Sequence, residues 1–140
     1  MFGSKSFHKY TNLLTQTLEI LLKYYHEFLF SNTGSCCKKL ILALFGNANS
    51  TQGHRAGEYE IVEEKLNGRD QWLRKDGNMA IWFNDQENRW TIGSSVGSGG
   101  GIFADSSFEC PSDVGDNWQY YNGSSTFQDA QGEIRTLCLG

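Results

Sequence analysis

The side chains that could do chemistry in this chain are few, and their spacing argues mostly against chemistry. Four cysteines are present among 140 residues. Cys110 and Cys138 stand 28 positions apart, and a disulfide closing such a loop would contribute roughly 3–4 kcal/mol by chain entropy. The alternative is two buried thiols in a reducing compartment. Cys36 and Cys37 are adjacent, and a bond between neighbours is strained. They are expected to stay reduced, to pair between chains or to leave with a cleaved leader. Zinc needs grouped ligands. No C-x-x-C occurs, and His8, His26 and His54 lie far from the cysteines in sequence, so no metal site and no cofactor is expected.

The glycine run Gly93 to Gly101 invites comparison with a phosphate loop. It lacks the Lys-Ser/Thr pair, and no helical pattern follows to supply amide donors. We read it as a loose connection between strands. Asp105, Asp113, Asp116 and Asp129 do not fall at EF-hand spacing. No G-x-S-x-G elbow holds a serine. Paired carboxylates can hydrolyse glycosides, but a small domain leaves little room for a substrate cleft. The reading is that the chain is not an enzyme. The tryptophans carry more weight: aromatic faces stack on sugar rings, although Trp is first of all core material. Trp82, between Ile81 and Phe83, reads as buried. Trp72, Trp90 and Trp118 are the candidate ligand-binding residues.

Charge narrows the partners. Residues 1–56 hold six Lys/Arg and two Asp/Glu, a net +4, whereas residues 57–140 hold six and fourteen, a net −8. An acidic domain repels phosphate backbones, so no nucleic acid is expected. No apolar run reaches the 18–20 or so residues of a membrane-spanning helix.

The elements that would position these residues follow from periodicity. Over residues 8–30, Leu14, Leu18, Leu21, Tyr25 and Phe28 recur at spacings of three and four, as on an amphipathic helix. Ser31 to Gly34 supplies its stop. Lys38-Lys39, the apolar run Leu40–Phe45 and Ala48-Asn49-Ser50 have the form of a secretory signal, with a second short helix as the alternative. Residues 46–56 read as a linker, so the boundary is placed between residues 1–56 and a β module over residues 57–140.

Within the module, seven strands are expected: Tyr59–Ile61, Gln71–Arg74, Met79–Phe83, Arg89–Ile92, Ile102–Ala104, Trp118–Tyr121 and Ile134–Cys138. Asn67-Gly68, Asp76-Gly77 and Asn122-Gly123 are tight-turn dipeptides, because both residues of such a pair tolerate positive φ. The fold class is mainly β: a small antiparallel meander or open barrel of about six to seven short strands, preceded by the amphipathic helix.

The series Asn67-Gly68-Arg69, Trp72, Ile81-Trp82-Phe83, Trp90-Thr91-Ile92-Gly93, Cys110-Pro111, Trp118 and Cys138 resembles a small Trp/Gly-rich module that recurs in extracellular invertebrate and some algal proteins. The resemblance covers residues 57–140. It implies a disulfide-fastened β domain without catalytic residues. The expected function is therefore a non-catalytic extracellular interaction module that binds protein or carbohydrate. The alternative is a cytoplasmic scaffold domain that docks through its N-terminal helix. Asn49 and Asn122 fit the N-x-Ser/Thr acceptor pattern and are candidate glycosylation sites of a secreted product.

Overall fold

The computed structural model describes residues 15–22 and 36–139. The chain divides into two units, Met1–Ser35 and Cys36–Gly140. In the first, residues 15–22 are helical (α1), in agreement with the 3.6-residue periodicity read there, and Leu18, Ile20, Leu21 and Leu22 are all exposed. The remainder of the expected helix over residues 8–30, and its stop at Ser31 to Gly34, lie outside the described residues.

The second unit is one antiparallel sheet of nine strands: β1 (Lys39–Leu44), β2 (Gly57–Ile61), β3 (Trp72–Arg74), β4 (Ala80–Asn84), β5 (Arg89–Gly93), β6 (Ile102–Ala104), β7 (Gln119–Tyr121), β8 (Phe127–Asp129) and β9 (Ile134–Cys138). A short helix, α2 (Gly46–Gln52), follows β1. The spatial order is β8-β7-β6-β5-β4-β3-β2-β1-β9. All seven strands expected from the sequence are present, and β1 and β8 are additional. The Asn67-Gly68 turn has both residues at positive φ, 54° and 76°.

That order requires curvature. β8 and β9 are the two edges of the sheet, yet only residues 130–133 join them. A link of that length spans about 17 Å at most, whereas nine strands laid flat would measure roughly 38 Å across. The sheet therefore curls into a half-barrel that brings its edges together. α2 makes the same point: it leaves β1, and its Gln52 Nε2 donates 2.8 Å to the carbonyl of Tyr121 on β7. The α2 N-terminus has no cap of its own. The Glu133 carboxylate, from the link between the edges, accepts the amides of Asn47 at 3.0 Å and Ala48 at 3.3 Å.

The inner face of the curl holds the core. Leu40, Leu42, Leu44, Tyr59, Trp72, Ile81, Phe83, Trp90, Ile92, Ile102, Trp118, Tyr120 and Ile134 form one buried cluster. Strand register carries this face from one strand to the next, through Ile61↔Trp72, Trp72↔Ile81, Ile81↔Ile92, Ile92↔Ile102 and Ile102↔Tyr120. Strands β4 to β6 are buried on both faces.

Two expectations are corrected here. Leu40–Phe45 is neither a helix nor a stretch outside the domain. Leu40, Leu42 and Leu44 are buried, while Ile41 and Ala43 between them are half-buried. This two-residue alternation is that of a strand, and β1 pairs with both β2 and β9. The β domain accordingly starts at Cys36 and not at Gly57. The second correction is the bridge. Cys110 and Cys138 are not joined to each other; the disulfides are Cys36–Cys110 and Cys37–Cys138. The β1–β9 register sets Cys138 opposite Leu40, within reach of Cys37, and the adjacent Cys36 turns inward to the buried Cys110. The loops close over 74 and 101 positions, and chain entropy gives each, taken alone, about 4–5 kcal/mol.

Candidate functional site

The tryptophans proposed for a ligand do not face one. Trp72, Trp90 and Trp118 are each 0% exposed, which corrects their reading as binding residues. All three belong to the buried core cluster, and two of the three ring nitrogens are spent on the fold. Trp72 Nε1 donates to the Cys37 carbonyl at 3.0 Å, and Trp90 Nε1 to the Phe108 carbonyl at 2.8 Å. The neighbouring motif residues serve the same clamp. Asp70 accepts the Cys36 amide at 3.2 Å. Arg69 donates to the carbonyls of Ser107 at 3.2 Å and Phe108 at 2.6 Å, and its guanidinium lies 3.9 Å from the Phe83 ring centre. These contacts bring together the two arms that Cys36–Cys110 then joins.

Asn49 is exposed on α2. Asn122 is at the β7–β8 tip but only half-exposed. Its amide nitrogen donates to Thr126 Oγ1 at 2.9 Å, and its Oδ1 accepts from Ser124 Oγ at 2.8 Å. Among the described residues no three His, Cys, Asp or Glu side chains are grouped as metal ligands. Asp116, in the acidic loop, pairs with Arg135 at 3.0 Å.

A cleft lies on the opposite, outer face of the sheet. Register places Trp82, Thr91, Phe103 and Gln119 in one row across β4 to β7, with Asn84↔Arg89 and Tyr121↔Phe127 beside it. The glycine run folds over this row. A Cβ at Gly93 would stand 3.1 Å from the Trp82 ring, and one at Gly100 would stand 2.3 Å from Thr91 Cγ2. Trp82 is therefore only 2% exposed although it faces away from the core. The run is not a loose connection as the sequence suggested. It is pinned by Ser98 Oγ donating to the Ser95 carbonyl at 2.5 Å and by the Gly101 amide on the Ile92 carbonyl at 3.1 Å.

The space left between this loop, the β4–β5 turn and the β8 edge is about 460 Å³. Asn84, Gln86, Glu87 and Arg89 form one wall, Gly97 to Gly100 the second, and Phe103 with Phe127 the third. Asn84 Oδ1 accepts the amides of Gln86 at 3.1 Å and Glu87 at 3.2 Å, which fixes the turn. Phe103 and Phe127 meet edge to face with centroids 4.7 Å apart. Arg89 lies 4.1 Å over the Phe103 ring and is held between Glu87 at 3.1 Å and Asp105 at 2.9 Å. The cleft lining contains one carboxylate, Glu87, and no His, Cys or Lys.

Sequence reasoning missed this site because its residues come from four separate segments. The available signal was Trp82: a tryptophan one position out of register with the inward Ile81 and Phe83 must be covered by something, and the glycine run that follows β5 is the nearby segment without bulky side chains. Comparison with protein families, with curated proteins and with solved structures found no match to this chain.

Proposed function

We propose that the chain is a non-catalytic extracellular interaction module, held by two disulfides and presenting its outer cleft to a protein or glycan ligand. The observation that carries this reading is the cysteine pairing. All four cysteines are bonded, each bridge ties the start of the domain to a distant strand or loop, and such bonds persist in oxidising compartments. The resemblance to extracellular Trp/Gly-rich modules points the same way. The cleft lining is mostly neutral and polar, with its one carboxylate, Glu87, paired to Arg89, and in this reading its polar groups serve to orient a bound molecule. Among the described residues no helix is long and apolar enough to cross a membrane.

The exposed leucines of α1 support a second reading, a scaffold that docks through its helix. The mass of the protein isolated from its source separates the two. An increase of four hydrogens on reduction supports the extracellular module. Four thiols free to alkylate without reductant would favour the intracellular scaffold.

A further inference from the structure

Resting on the reading of the chain as an interaction module, we propose that the outer cleft is a saccharide site that takes an uncharged sugar ring stacked against Phe127. Its volume of about 460 Å³ falls in the range of small-ligand sites. A protein partner would need about 800 Å² of matching surface with an apolar centre, and this cleft is narrow and mostly polar.

The lining matches the two surfaces of a pyranose. Asn84, Gln86 and the backbone of Gly97 to Gly100 offer neutral donors and acceptors, which suit hydroxyl groups. Asn84 uses its oxygen within the turn, which leaves its amide nitrogen as a donor. Phe127 is 49% exposed and is backed by Phe103 and by Tyr121, whose ring centre is 5.7 Å away. It therefore presents a fixed apolar face to the C–H side of a ring. Charge excludes an acidic sugar. The one cation of the cleft, Arg89, is already shared by Glu87 and Asp105. A sulfate or carboxylate would have to displace one of them and then face the other. The pinned glycine wall is formed before the ligand arrives, so little ordering entropy is lost on binding.

The test uses the full chain and neutral oligosaccharides of glucose, galactose, mannose and N-acetylglucosamine, with a sulfated oligosaccharide as the charged comparison. Binding is followed by calorimetry and by amide chemical shifts. At least one neutral class is expected to bind and to move the signals of Gln86, Gly99 and Phe127. Phe127→Ala and Gln86→Ala should each weaken binding at least tenfold. Gln86→Ala, in the exposed turn, should leave Tm unchanged, whereas Phe127→Ala should lower it slightly through the lost contacts with Phe103 and Tyr121. The proposal is overturned if no neutral sugar binds, if the sulfated one binds more tightly, or if both variants bind within twofold of the parent. Those outcomes leave the cysteine pairing untouched, and free thiols in the source protein would overturn the extracellular reading whatever the sugar result.

Discussion

Gly93 and Trp82 meet on the outer face of the sheet, where a Cβ at position 93 would stand 3.1 Å from the indole Cη2 and equally close to the Gly100 Cα. The glycine run thus acts as a fitted cover. Two of its positions should respond differently to the same small change. At Gly100 an added methyl meets Thr91 Cγ2 at 2.3 Å and the Ile92 carbonyl at 2.8 Å, whereas at Gly99 it meets nothing within 4 Å. Gly100→Ala should destabilise the domain by about 1–3 kcal/mol, the cost of overpacking a fitted contact. Gly99→Ala should leave the thermal midpoint within a degree or two. Thermal unfolding of the two variants side by side is the check, and equal midpoints would show that the run does not press on the sheet.

Arg69 should behave as a structural residue. Its Nη1 donates to two carbonyls while its guanidinium plane rests on Phe83. Lysine is a point charge on a flexible stem and cannot repeat that arrangement. Arg69→Lys should lose about 1–3 kcal/mol, as when partners of a charged hydrogen bond are left unmet. Denaturant midpoints measure it, with an unchanged slope showing that the loss lies in the native state.

Acid should act through Asp76. The Arg74 hydrogen bond, followed by the Asn78 amide, holds this carboxyl down to about 2 from its ordinary 3.8. A depressed folded value means that the contribution to stability is complete above the unfolded value, near 4, and is lost as pH falls through 2. The group is exposed, so the effect is modest and screened by salt. The carboxyl carbon of Asp76 should titrate by NMR with a midpoint near 2. In Asp76→Asn this part of the acid slope should be absent. A midpoint near 4 in the parent would show that the ion pair does not persist in solution.

Much of the fold was legible because its strands obey a two-residue period and its turns use Asn-Gly and Asp-Gly. Tyr59–Ile61 and Ile134–Cys138 could be read on those grounds alone, and Met79–Phe83 as a short apolar run bounded by the Asp76-Gly77 turn and the polar Asp85–Asn88 turn. β1 was not, because Leu40–Phe45 is apolar at every position and follows two lysines, a pattern that a leader, a helix and a buried strand share. β8 was not, because Phe127-Gln128-Asp129 is short and exposed on all three residues, and edge strands leave little hydrophobic trace. The partners of Cys110 and Cys138 were misread because pairing is set by the return of β9 to β1, a contact between chain ends that no local spacing encodes. The cleft was hidden for a related reason. Asn84, Gly99, Phe103 and Phe127 become neighbours only through register and through the folding of the glycine run over Trp82.

The central claim, a domain built to live oxidised, rests on which cysteines are joined. Proteolysis of the unreduced protein from its source, followed by mass mapping of the linked peptides, tests it most directly. Peptides carrying Cys36-Cys37 should be found bonded to both the Cys110 peptide and the Cys138 peptide. Under mild reductant the Cys138 bond should open first, because Cys138 is exposed whereas Cys36 and Cys110 are buried, and exchange follows access. Four free thiols, or a Cys110–Cys138 link that leaves Cys36 and Cys37 unbonded, would contradict the account.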